Sequence, residues 1–151
     1  MQKITPFLWF DGQAEQAMLF YTSVFENSKA GKVSRNSDQV FSASFELNGL
    51  EFIALNGGPQ FKFTEAISMY VNCEDQKEVD YYWQKLTADG GSESQCGWLK
   101  DKFGLSWQII PAALPRLLGD PEPARAGRAM QAMLTMKKID VAQLEAAANG
   151  G

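Results

Sequence analysis

The chain has no histidine. That absence removes the commonest general base near neutral pH and the commonest transition-metal ligand. Ser-His-Asp and Cys-His catalysis are excluded, as is any zinc site that needs an imidazole. Cysteine is nearly absent too. The two present, Cys73 and Cys96, lack CxxC spacing, and the expectation is reduced thiols in a cytoplasmic protein, not a disulfide framework. No apolar run approaches the roughly 18 residues of a membrane span. The opening "MQKITPFLWFDG" turns acidic too soon to read as a secretory signal. Basic residues are scattered and outnumbered, 14 against 18 acidic for a net charge of −4, so nothing attracts a nucleic-acid backbone.

What is present is an ordinary globular composition, 45% hydrophobic over 151 residues. That is enough for one domain burying about two-thirds of its unfolded surface. "KITPFLWF" (3–10) reads as an aromatic strand. Ala14, Ala17, Met18, Tyr21 and Phe25 then recur at helical spacing, with Asp11 as the expected N-cap. Segments 30–35, 40–47 and 50–56 read as strands, the last two joined by Asn48-Gly49, a two-residue hairpin signal.

The second half repeats this order. Residues 66–72 read as a strand, and a helix follows that stops at Gly90-Gly91. Shorter strands are expected near 92–95, 97–102 and 105–110. A constant offset lays Ala17, Phe20, Tyr21 and Val24 over Val79, Tyr82, Trp83 and Leu86. Matching element order favours internal duplication over chance. The fold class is therefore α+β, two βαβββ units with helices 12–26 and 75–89 packed outside. A helical tail follows, with Asp120 and Pro121 expected to start one helix and Asp140 to cap another. Ala126, Met130, Met133 and Lys137 fall along one helical face, and methionine there reads as core or interface filler. The expected organisation is one domain over 1–151, with unit one at about 1–58, unit two at about 64–111 and C-terminal helices at about 112–151.

A duplicated βαβββ unit carrying "TPFLWFDG", "NGGPQFKFTEAIS" and "CGWLKDKFGLSWQIIP" resembles the vicinal oxygen chelate superfamily of glyoxalase I, extradiol dioxygenases and the fosfomycin- and bleomycin-resistance proteins. Within it, the chain is most similar to the PhnB-like branch, often called 3-demethylubiquinone-9 3-methyltransferases. The similarity extends over essentially the whole chain, the "AMLTMKKID" tail included. Metal-using relatives place four inner-strand side chains on a divalent ion. The resemblance implies Thr5, Ala54, Ala66 and Gln108 at those positions; two alanines and a threonine beside one amide leave no donor set for a divalent ion, and no cofactor is expected.

Strand alternation groups Thr5, Phe7 and Trp9, then Phe52, Ala54 and Asn56, then Ala66, Ser68 and Tyr70, then Ser106, Gln108 and Ile110. The resemblance implies that all four sets face one aromatic cavity, with Trp9 and Trp107 on or beside it. Gln108 is read either as a ligand-contacting amide or as a core amide satisfied by backbone. Asp101 and Lys102 read as solvated turn residues. Three functions stay open: a metal-independent protein binding a small hydrophobic or aromatic ligand, an unassigned enzyme, and a dimeric interaction module. The superfamily's habit of pairing units across chains implies a homodimer.

Overall fold

The structure, a computed structural model, describes residues 2–150. Its elements divide between two compact units, the first ending at Phe63 and the second beginning at Thr64. In the first, β1 (Phe7–Phe10), α1 (Ala14–Val24), β2 (Lys29–Asn36), β3 (Gln39–Leu47) and β4 (Leu50–Asn56) form a four-stranded sheet in the order β1-β4-β3-β2. Only β1 and β4 run parallel. In the second, β5 (Ser68–Cys73), α2 (Gln76–Thr87), β6 (Ser92–Glu93), β7 (Trp98–Lys100) and β8 (Ser106–Pro111) repeat that order as β5-β8-β7-β6, again with the first and last strands parallel. This is the expected α+β pair of βαβββ units.

Local chemistry explains most element boundaries. β1 is shorter than the aromatic run suggests, because Pro6 has no N–H to give and bonds only through its carbonyl, which accepts from Ile53 N at 3.0 Å. Asn48 and Gly49 both take positive φ, as a two-residue turn with right-handed strand twist requires. Asp75 caps α2 by accepting from Glu78 N at 3.0 Å. Asp140 caps α5 (Val141–Ala148) in the same way through Gln143 N. Two expected helix starts move. Gln13, not Asp11, holds the N-cap position of α1, and its side chain makes no capping bond. α4 (Pro123–Met133) begins at the second of two prolines, with Glu122 before it, while Asp120 accepts from Glu122 N instead.

Each core follows from one face per helix. In the first unit Ala14, Ala17, Met18, Tyr21 and Val24 of α1 are buried, along with Leu8, Phe10, Phe45, Phe52 and Ala54 of the sheet. Phe45 stacks on Phe52 at 5.4 Å. In the second unit α2 buries Val79, Trp83 and Leu86. α3 (Ala113–Leu118), α4 and α5 enclose a further cluster with Ile110, Met136 and Ile139. The helical face expected on α4 is rotated: Ala129 is buried and Met133 packs on that cluster, but Met130 is 45% exposed. Tail backbone also completes the second unit's edge, where Cys96 N and Gly97 N each donate at 2.8 Å to Met136 O and Lys137 O.

Candidate functional site

Register decides which sequence-derived site residues share a face, since paired residues on neighbouring strands point the same way. In the first unit Leu8 pairs with Ala54 and Phe10 with Asn56, while Phe7 pairs with Ile53 and Trp9 with Leu55. Ala54 is fully buried beside Leu8 and Phe10 on the helix-packed face. Asn56 spends its amide on structure. Its Oδ1 accepts from Ala14 N at 2.9 Å, capping α1 from across the sheet, and its Nδ2 donates to Val40 O. Ala54 and Asn56 therefore do not share a face with Phe7 and Trp9, correcting that expectation. Composition carries no trace of which β4 residues sit level with β1.

The opposite face of this sheet holds Phe7, 57% exposed, and Trp9, while Thr5 lies just before the strand. Trp9 donates from Nε1 to Gly58 O at 2.9 Å and meets Phe61 edge-on at 5.0 Å. A Cβ at Gly57 would stand 2.4 Å from the indole ring, so the "NGGPQF" segment is glycine-rich to admit tryptophan. A cavity of about 530 Å³ opens near the start of α1, lined in part by Glu15, Gln16, Phe41 and Asn56. Two of its polar groups are already engaged: Glu15 pairs with Arg35, and Asn56 caps the helix.

The second sheet assembles more chemistry. Across β5, β8 and β7, Tyr70 pairs with Gln108 and Gln108 with Trp98, giving one row. Ser68 pairs with Ser106 and Ser106 with Lys100, giving the next. All six share the face opposite Trp107 and Ile109. Gln108 Nε2 donates to Ser68 Oγ at 3.0 Å, uniting two expected site residues. The amide oxygen accepts no hydrogen bond from any described residue. Tyr70 is 49% exposed, leaving the row open. Ser106 is 1% exposed, and its hydroxyl is the buried side-chain polar atom left without a partner among the described residues. Lys100 Nζ reaches Glu65 at 2.8 Å, which holds that carboxyl below its ordinary value. Ala66 sits in the turn before β5, exposed, its N bonded to Thr64 Oγ1.

Two further expectations change. Asp101 is buried, not solvated. Its Oδ1 accepts from Phe103 N and Leu105 N, and its Oδ2 accepts from the Trp107 indole at 2.8 Å. Trp107 is thereby fixed on the far side of the sheet, and the indole beside Gln108 belongs to Trp98. Sequence reasoning passed over Trp98, although its place at the start of a short strand opposite β8 was a usable signal. Cys73 is inert: burial above all, then Glu78 and Asp75, pushes its thiol up to about 12.

A divalent metal fits this residue set poorly. Ala54 offers a buried methyl, Ala66 an exposed one, and Gln108 an amide already bonded to Ser68. Among the described residues no three His, Cys, Asp or Glu side chains come close enough to hold an ion.

Two four-stranded mixed sheets, each closed by a parallel first–last pair and backed by a helix, define the glyoxalase/bleomycin resistance fold. FosX of Listeria monocytogenes, solved with Mn(II) and sulfate, shares it at 16% identity and a TM-score of 0.56, over 78% of this chain and 97% of that one. Protein PA1353 of Pseudomonas aeruginosa does so at 18% identity and a TM-score of 0.56, over 71% and 95%. Within that fold the chain belongs to the 3-demethylubiquinone-9 3-methyltransferase family, whose model matches residues 2–110. The PhnB protein of Bacillus cereus, provisionally described as such a methyltransferase, is 40% identical with a TM-score of 0.69, aligning all of that chain to 74% of this one. No curated protein matches. The family match ends within β8, so α3–α5 fall outside it, which corrects the expectation of whole-chain similarity.

Proposed function

We propose that this chain is a metal-independent, homodimeric, cytoplasmic protein that binds a small hydrophobic or aromatic molecule on the open face of its second sheet. One observation carries the reading: the Gln108 amide, braced by Ser68 at 3.0 Å, lies level with Tyr70 on one side and Trp98 on the other. A fixed polar handle between aromatic surfaces is the usual makeup of a small-molecule site. Ser68 holds the amide nitrogen, so the amide oxygen points the recognition towards a ligand donor.

Methyl transfer, the activity in the family's description, has little support in this geometry. Enzymes using S-adenosylmethionine typically employ a doubly wound parallel sheet with a glycine-rich turn after the first strand. Each sheet here has four strands and one parallel pair.

Titration with N-phenyl-1-naphthylamine, followed through tryptophan and probe fluorescence, tests the proposal. Binding is expected, weakened about tenfold or more by Tyr70→Ala and by Gln108→Ala, as loss of an aromatic surface or a buried polar contact implies. A screen in which no planar hydrophobic compound changes the fluorescence would defeat it. Mass spectrometry of material co-purifying with the protein identifies the natural ligand.

A further inference from the structure

A buried hydroxyl with no partner is rare in a folded protein and calls for a specific cause. Ser106 has such a hydroxyl, one row along β8 from Gln108 and on the same face. Its neighbours in register are Ser68 on β5 and Lys100 on β7. Lys100 reaches to Glu65, in the turn that leads into β5. Since β8 lies between β5 and β7, the ion pair spans the start of β8 and crosses over Ser106. On that register the salt bridge forms a roof over the hydroxyl, which fits its burial.

That roof is loosely held. Lys100 and Glu65 are 41% and 64% exposed, and exposed pairs of long side chains contribute little to stability. Beneath it stand a donor hydroxyl without an acceptor and an ammonium whose carboxylate partner is supplied by a mobile type of side chain. One chemical group satisfies both at once, an oxyanion.

We propose that the ligand carries an oxyanion group that displaces Glu65 from Lys100 and accepts a hydrogen bond from Ser106 Oγ, while its aromatic body lies along Tyr70, Gln108 and Trp98. This deepens the binding reading above and rests on it. No covalent step is involved. The ligand's oxyanion takes the carboxylate's place at Lys100, adding its own negative charge to the site while Glu65 turns to solvent, and Ser106 gains the charge-assisted hydrogen bond it lacks.

Two probes with the same ring system separate the anion from the aromatic body: 1-anilinonaphthalene-8-sulfonate and its neutral counterpart N-phenyl-1-naphthylamine. With the full chain, the sulfonate is expected to bind about tenfold tighter, the equivalent of ~1.4 kcal/mol. Ser106→Ala and Lys100→Gln should each erase that preference and leave the neutral probe's affinity unchanged. Glu65→Gln should tighten the sulfonate several-fold, because the internal competitor has lost its charge. A purely structural Glu65 would give no tightening. Ser106→Ala should melt no lower than wild type, since it removes an unsatisfied polar group.

Competition by 1-naphthoate and by 1-naphthyl phosphate then distinguishes a carboxylate ligand from a phosphate one. Equal affinity for the two probes, unchanged in Glu65→Gln, overturns the oxyanion inference and leaves the binding face standing. Binding of both probes undiminished by Tyr70→Ala and Gln108→Ala overturns the binding face itself.

Discussion

Asp101 is the residue on which the β7–β8 turn depends. It answers two backbone N–H groups and a buried indole with one carboxylate. Asp101→Ala would leave all three donors without that acceptor, and unpaired buried donors cost ~1–3 kcal/mol each. The expected loss is about 3–5 kcal/mol, read as a fall in melting temperature of roughly 10 °C by calorimetry. The same scale governs Cys73. With its thiol at about 12, iodoacetamide at pH 8 should leave it unmodified in the folded protein and alkylate it in denaturant, as peptide mapping would show. Legibility differs sharply between these residues. Gln108 and Ser68 were readable as residues of one face because strand alternation and element order assign both to it, but the bond between them was not. Asp101 was not, because "LKDKFG" has the composition of a solvated turn and nothing local says which carboxylate folds inward towards an indole.

Helix α1 shows how an element can be completed from elsewhere. Its first N–H is capped by Asn56, at the end of β4, and not by a residue beside it. Asn56→Ala should therefore cost ~1–2 kcal/mol, the scale of a lost cap, plus the bond to Val40 O. Urea denaturation measures it, and a change below 0.5 kcal/mol would mean that the cap is replaced by water. The sequence places the helix and its buried face because apolar spacing is local. Asp11 was the wrong cap because capping here depends on a contact formed only once the sheet exists. The same limit explains Ala54, which alternation assigns to a face only after the register with β1 is known.

The tail elements carry their own pH response. Asp80 is held below the ordinary aspartate value of 3.8 by Lys138 and Gln76. Asp120 is held below it by the Glu122 N–H and then Arg125. A depressed folded value stabilises the native state above pH 3.8 and fades as pH falls through the folded values. Protection of Gly97 and Val141 amides against hydrogen exchange should decline below that pH, and adding salt at neutral pH should mimic part of the effect. Protection unchanged down to pH 2.5 would contradict this.

At the scale of the whole molecule, the absence of histidine leaves no side chain with an ordinary value between about pH 5 and 8. Affinity for the sulfonate probe, whose charge is fixed, is expected to be flat from pH 6 to 8, and a titration step in that window would require a side chain with a strongly displaced value. The proposed homodimer sets a second global expectation. Sedimentation at micromolar concentration should give twice the 16.7 kDa of one chain, whereas a single-chain mass would oppose it. The two-unit architecture was legible because duplication writes the same pattern twice. Where the family's likeness stops was not, because the tail's amphipathic spacing resembles that of any helical cap.

In each unit the first strand is sealed by the last: Phe7 lies against Ile53, and Ser68 against Ser106. A chain leaving the ribosome cannot close either sheet until its fourth strand has emerged, so both β1 and β5 wait with an open edge. The first unit can finish as soon as Phe63 is free of the exit tunnel. The second must wait longer, because the backbone that secures Cys96 and Gly97 comes from Met136 and Lys137. Synthesis thus delivers the proposed binding face last, and a pause in translation beyond β8 would leave β7, which carries Trp98 and Lys100, unsecured on a nascent chain.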